Sequence, residues 1–172
     1  GHAGDFNGDQ IDDFIVATPT AAINQAGIVY VAYGKPGMAT SSYSIQGLPS
    51  TDGFTVTGMS PLLKFGTTVS DAGDFNNDGI NDILVSSPLY NSDAGVTFVV
   101  YGKKDGPANF DTTTVTADQA LKIYGANSNE RAGQNLASIG DMNDDGIADI
   151  LIAASGYGGR GAAYIIYGTK DK

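Results

Sequence analysis

Four-residue apolar runs recur along the chain: Phe14-Ile15-Val16-Ala17, Ile83-Leu84-Val85-Ser86 and Ile150-Leu151-Ile152-Ala153. Unbroken runs of this kind, rich in β-branched residues, predict strands buried on both faces. After each run comes a turn, marked by Pro19 or Pro88 in the first two copies, then a variable stretch and a second strand ending in Tyr-Gly. Those second strands are Ile28 to Tyr33 before Gly34, Val96 to Tyr101 before Gly102, and Ala162 to Tyr167 before Gly168. A longer connection leads to Phe54-Thr55-Val56-Thr57-Gly58 in one copy and Leu121-Lys122-Ile123-Tyr124-Gly125 in the next. Phe65-Gly66-Thr67-Thr68-Val69 and Ala132-Gly133-Gln134-Asn135-Leu136 then open the following copy. No segment carries a convincing helical period, and Ala117 to Ile123 is the nearest approach, worth one turn. The pattern predicts an all-β chain with four short strands per repeat of about 68 residues, which are blades of a β-propeller. The repeats span roughly 3–64, 65–131 and 132–172, forming one propeller segment, with residues 1–2 reading as a cloning remnant.

Ahead of each apolar run stands one nine-residue motif, Asp-x-Asn-x-Asp-x-Ile-x-Asp: Asp5 to Asp13, Asp74 to Asp82 and Asp141 to Asp149. Asp, Asn and Gly make good turns on their own. Repetition of the carboxylates in the same places points further, to a cage for a hard cation, because calcium takes six to eight oxygen ligands. Positions 1, 3 and 5 (Asp5, Asn7, Asp9; Asp74, Asn76, Asp78; Asp141, Asn143, Asp145) can turn side-chain oxygens inward. Position 7 (Ile11, Ile80, Ile147) offers a backbone carbonyl while its side chain plugs the apolar layer below, and position 9 (Asp13, Asp82, Asp149) closes the cage. Position 6 must turn sharply, which suits Gly79 and Gly146 but not Gln10, so the first loop is expected to be the weakest of three calcium sites.

An EF-hand opens in the same way but requires a glutamate at position 12 and flanking helices. Position 12 here is Val16, Val85 or Ile152, inside strand material. Nine Lys and Arg against nineteen Asp and Glu give a formal charge of −10, which argues against nucleic acid or an anionic membrane as partner. Nine of the acids are the aspartates at positions 1, 5 and 9 of the loops, and three divalent ions would offset more than half of the net charge. No apolar run is long enough to span a membrane, and the chain has no cysteine. Calcium loops of modest affinity suit the millimolar calcium outside cells, so an extracellular or cell-surface setting is expected.

The sequence resembles FG-GAP repeats, the family that builds the propeller of integrin α subunits and many bacterial surface proteins. The resemblance rests on Phe65-Gly66, the approaches Ala72-Gly73-Asp74 and Ile139-Gly140-Asp141, the three acidic loops, and the GAP-like Ala17-Thr18-Pro19 and Ser86-Ser87-Pro88. The third copy departs from it, with Ala132-Gly133 for Phe-Gly and Ala153-Ala154-Ser155 for the GAP element. The first copy keeps only Ala3-Gly4-Asp5 of its opening strand and the last stops before its fourth, giving an expected three, four and three strands. The resemblance implies an arc of a ring that usually has seven blades. Such an arc either is part of a larger propeller or completes itself by self-association, two arcs making a six-bladed ring.

The resemblance further implies calcium loops on one face and partner-binding loops on the other: Thr20 to Gly27, Leu89 to Gly95, Gly156 to Gly161, Met59 to Lys64 and Ala126 to Arg131. Tyr90, Arg131, Tyr157 and Arg160 are the candidate contacts for a protein or glycan ligand. The alternatives to a non-catalytic adhesion or interaction module are a lectin-like propeller and an accessory domain of a secreted enzyme. For the lectin, the recurrence of Tyr33, Tyr101 and Tyr167 before glycine points to packing rather than to a sugar platform. Catalysis by this chain is not expected, because its only histidine is His2 and its remaining acids show no repeated pairing.

Overall fold

The computed structural model describes residues 1–21, 26–37, 44–45, 47–58 and 64–170. Within the described residues the chain forms three sheets in sequence order, antiparallel except for one edge pair, and almost nothing else regular. The first sheet contains β1 (His2–Gly4), β2 (Asp13–Thr18), β3 (Ile28–Ala32) and β4 (Gly53–Thr57). The second contains β5 (Val69–Gly73), β6 (Asp82–Ser87), β7 (Val96–Val100) and β9 (Ala120–Tyr124), with β8 (Phe110–Asp111) leaving it for the first. The third contains β10 (Ala132–Gly140), β11 (Asp149–Ala154) and β12 (Ala162–Ile166). Partial blades of a β-propeller, as the apolar pattern required, are what these sheets make.

Two features of the first sheet correct the expected strand count. Its opening strand exists as β1, although only three residues long, and Gly1 extends the pairing through hydrogen bonds to Ile15 of 2.7 and 2.9 Å. Its outer edge is lengthened by β8, which runs parallel to β4 with Val56 opposite Phe110. Phe110 also packs on Phe54, with ring centroids 5.5 Å apart, so the long β7–β9 connection of one blade clasps the edge of the one before. The helical turn considered at Ala117 to Ile123 is instead a turn leading into β9 at Ala120.

Alternation along each strand divides its residues between the two neighbouring blades. In the first blade Ile15, Val29 and Val31 face the second, meeting Ile83, Val85 and Phe98 in one buried cluster. Leu84 and Val99, on the opposite face of the second blade, meet Ile150 and Ile152 of the third. Phe65 anchors the first layer, edge-on to Phe98 at 5.4 Å. Each such ring contributes roughly 1.5–3 kcal/mol by leaving water. The glycine after it is required on two counts: Gly66 has φ of 84°, and a Cβ there would sit 2.9 Å from Ala17 of the preceding blade.

Candidate metal loops and partner surface

Between β1 and β2, between β5 and β6, and between β10 and β11, the acidic loops coil in the same way. In the first, the Asp5 carboxylate accepts the Asp9 and Gln10 amides at 2.9 and 2.8 Å, Asn7 Oδ1 accepts the Asp9 amide, and Asp9 accepts that of Ile11. In the second, Asp74 accepts the Asp78 and Gly79 amides, Asn76 that of Asp78, and Asp78 that of Ile80. Asp141, Asn143 and Asp145 repeat the pattern with the amides of Asp145, Gly146 and Ile147. Side-chain oxygens at positions 1, 3 and 5 thus accept backbone amides of their own loop in all three copies.

Left-handed geometry falls at position 6 in all three loops: Gln10 at φ 70°, Gly79 at 90° and Gly146 at 84°. Gln10 adopts a conformation that a Cβ disfavours by about 1–2 kcal/mol. Position 4 is also left-handed (Gly8, Asn77, Asp144), which sequence reading missed. The signal was there, because glycine, asparagine and aspartate are the residues that tolerate that region best.

Position 9 has a larger role than closing the loop. Asp13 accepts the amides of Phe6 and Gly34 at 3.0 and 2.8 Å, and Asp82 those of Phe75 and Gly102 at 3.0 and 2.9 Å. Asp149 likewise accepts from Met142 and Gly168 at 2.7 and 2.9 Å. One carboxylate therefore ties the start of the loop to the Tyr-Gly end of the next strand. This explains the glycine: a Cβ at Gly102 would lie 2.2 Å from the Asn81 carbonyl oxygen and 2.7 Å from the Ile80 methyl, and Gly34 and Gly168 are equally crowded. Burial pushes the Asp13 carboxyl up to about 6 and Asp82 up to about 8, against the lowering effect of their backbone hydrogen bonds. Exposed Asp141 is held below the usual carboxylate range, chiefly by the Gly146 amide.

Each loop but the last is also held by the following blade. The carbonyls of Asp5, Phe6 and Asn7 accept the amides of Asn81, Lys103 and Asp105 at 3.1, 3.1 and 2.9 Å. Those of Asp74 and Phe75 accept Ala148 and Thr169 at 3.4 and 3.1 Å. Position 2 records the difference: Phe6 and Phe75 are 0% and 2% exposed, Met142 58%.

The donor set of each loop, carboxylate and amide oxygens with an adjacent carbonyl, fits a hard divalent cation in kind and number. Among the described residues no three His, Cys, Asp or Glu groups gather closely enough to hold a metal ion. Each position 9 carboxylate is engaged by two backbone N–H groups. Asn76 Nδ2 is buried without a hydrogen-bond partner, whereas the matching amides of Asn7 and Asn143 donate to Asp9 and Asp145.

The candidate partner contacts are distributed over two blades. Tyr90 is half-buried against Tyr124, with centroids 5.8 Å apart. Arg131 pairs with Asp93 at 3.2 Å, and its amide donates to the Asp93 carbonyl, so the pair locks the loop of one blade to the entry of the next. That loop is strained, with Asn91, Ser92 and Asp93 all left-handed. Tyr157 is 45% exposed and edge-on to Tyr164, and Arg160 is exposed beside it. Residues 22–25 of the Thr20 to Gly27 loop, and all of Met59 to Lys64 except Lys64, lie outside the described residues. His2 pairs with Asp12 at 3.2 Å on the surface.

Blades linked through repeated Asp-rich hairpin loops define the class: a partial β-propeller. More specifically, the chain carries FG-GAP repeats, matched by the family model at residues 65–100 and 132–166, with the first blade outside both stretches. It is 32% identical to integrin alpha-V of Gallus gallus over 171 residues, covering 96% of this chain and 14% of the relative. It is 29% identical to integrin alpha-PS5 of Drosophila melanogaster, covering 90% and 14%. A phosphatidylinositol-glycan-specific phospholipase D of Dictyostelium discoideum is 30% identical, covering 98% and 19%. The chain thus spans less than a fifth of the length of these relatives. Among the described residues no helix is long and apolar enough to cross a membrane.

Proposed function

We propose that this chain is a calcium-binding, non-catalytic propeller module serving cell-surface adhesion or protein interaction in an extracellular setting. The observation that carries the reading is the identical inward turn of positions 1, 3 and 5 in three separate loops. Asp5, Asn7 and Asp9, with the Ile11 carbonyl and Asp13, would hold the first ion. Asp74, Asn76, Asp78, Ile80 and Asp82 would hold the second, and Asp141, Asn143, Asp145, Ile147 and Asp149 the third. A bound divalent cation supplies positive charge that offsets carboxylate repulsion and the burial of the position 9 groups. The chain's own contribution is mechanical, since each loop joins its hairpin to the Tyr-Gly strand end and, in the first two blades, to the next blade. Metal at such a junction stabilises blade register.

Support for a binding rather than catalytic role comes from the surface position of the sole histidine and the assignment of the repeated acids to loops. Similarity to integrin alpha chains favours an interaction module, while the phospholipase D relative favours the same fold riding beside an enzyme. Thermal melting with and without chelator tests the proposal. Chelation should lower Tm, calcium should restore it, and millimolar magnesium should restore it poorly because of its stricter octahedral demand. Equal melting in chelator and calcium would overturn the reading.

A further inference from the structure

Successive acidic loops are joined by a relay of peptide groups. Ile80, at position 7 of the second loop, shares its carbonyl's peptide unit with the Asn81 N–H, and a planar trans unit points the two in opposite directions. That N–H donates to the Asp5 carbonyl of the first blade at 3.1 Å. The Asp5 carbonyl belongs in turn to the peptide unit of the Phe6 N–H, which donates to Asp13 Oδ2 at 3.0 Å. Two peptide planes and two hydrogen bonds therefore run from the carbonyl donor of the second loop to the closing carboxylate of the first.

The same relay recurs one blade on. The Ile147 carbonyl shares its peptide unit with the Ala148 N–H, which donates to the Asp74 carbonyl at 3.4 Å, and the Phe75 N–H donates to Asp82 Oδ2 at 3.0 Å. Packing holds both relays in place. A Cβ on Gly4 would lie 2.5 Å from the Asn81 side chain, and one on Gly73 would lie 2.7 Å from the Ala148 Cβ. The Ala-Gly-Asp approach to each of these loops is thus shaped to receive position 8 of the next blade. Phe6, Phe75, Asp13 and Asp82 are all buried, and hydrogen bonds in series polarise one another more strongly where water is excluded.

We infer that the calcium sites fill cooperatively through these relays, each loop coupled to its immediate neighbours. The inference rests on the calcium reading above. Positive charge at the Ile80 carbonyl makes the Asn81 N–H a better donor, which polarises the Asp5 carbonyl and strengthens the Phe6 N–H that orients Asp13. The first loop is thereby ordered ahead of its own ion, and linkage makes the benefit mutual. Coupling is tighter between the first and second loops, joined at 3.1 Å, than between the second and third, joined at 3.4 Å. Among the described residues no such relay joins the first loop to the third, so those two communicate only through the second.

The test is a calcium titration of isotope-labelled, chelator-stripped protein followed by NMR at the amides of Gln10, Gly79 and Gly146. Each of these donates to the position 1 carboxylate of its own loop and so reports that loop. In the wild type the three signals should shift together, along curves steeper than a simple hyperbola. Asp78→Ala disables the second loop without removing a link of either relay. It should raise the calcium concentration that half-saturates the first loop about five-fold or more, and that of the third by a smaller factor. Asp9→Ala should weaken the second loop by the same factor as Asp78→Ala weakens the first, a reciprocity that mere structural damage does not produce. Independent, hyperbolic filling of the wild-type loops would overturn the inference, and this measurement decides it even if circular dichroism shows a variant unfolded. An unmoved first-loop midpoint in folded Asp78→Ala would also overturn it. Loops that bind calcium independently defeat only this inference, whereas signals that calcium does not move defeat the calcium reading and this inference with it.

Discussion

The second and third acidic loops have the same length, the same glycine at position 6 and the same backbone-to-carboxylate hydrogen bonds, yet they sit in different surroundings. The second is roofed by the third blade, which takes the Asp74 and Phe75 carbonyls and buries the Phe75 ring. The third lacks these partners within the arc, and its Met142 stands in water. Motif sequence therefore sets the local coil, while rigidity depends on the neighbouring blade. Among the described residues the third loop makes the fewest contacts with another blade, while the first carries the strained Gln10.

The widest separation should come at position 2. Phe75→Ala should cost about 3–5 kcal/mol in denaturant unfolding, as for other buried rings. Met142→Ala should cost under about 0.5 kcal/mol, as for an exposed side chain. Similar losses at both would break the comparison.

Next come the position 9 staples. Asp82→Ala strands the buried amides of Phe75 and Gly102, at about 1–3 kcal/mol for each orphaned donor. Asp149→Ala should cost about 1 kcal/mol less, because water reaches the part-buried Met142 amide. Equilibrium unfolding of the two variants in metal-free buffer isolates the staple from any ion.

How much of this was legible beforehand varies by level. Strand positions and loop oxygens could be read from the chain, since an unbroken apolar run and an alternating acidic loop each have a direct local cause. The β8 clasp could not, because Phe110 and Asp111 carry no strand pattern and pair only where β4 presents its edge. Nor could the engagement of Asp13, Asp82 and Asp149 with the Tyr-Gly glycines, a contact between segments about 20 residues apart that appears only once the hairpin forms. The pairing of Arg131, a candidate contact, with Asp93 could not be read either, because it depends on adjacent blades.

Smaller effects sharpen the loop comparison. Amide exchange of metal-free protein should be slower at Phe75 than at Met142, because the third blade buries the Phe75 ring and its amide while Met142 stands exposed. Equal protection would remove the neighbour effect. Smallest of all, Gln10→Gly should stabilise the fold by roughly 1 kcal/mol by relieving left-handed strain. A loss of melting temperature in that variant would mean that the glutamine side chain contributes more than its backbone costs.

Isothermal titration of calcium into chelator-stripped protein addresses the central claim directly. Three equivalents should bind, and Asp78→Ala should remove one of them while leaving the third loop's site in place. Absence of calcium binding, or an unchanged stoichiometry in Asp78→Ala, would contradict the account.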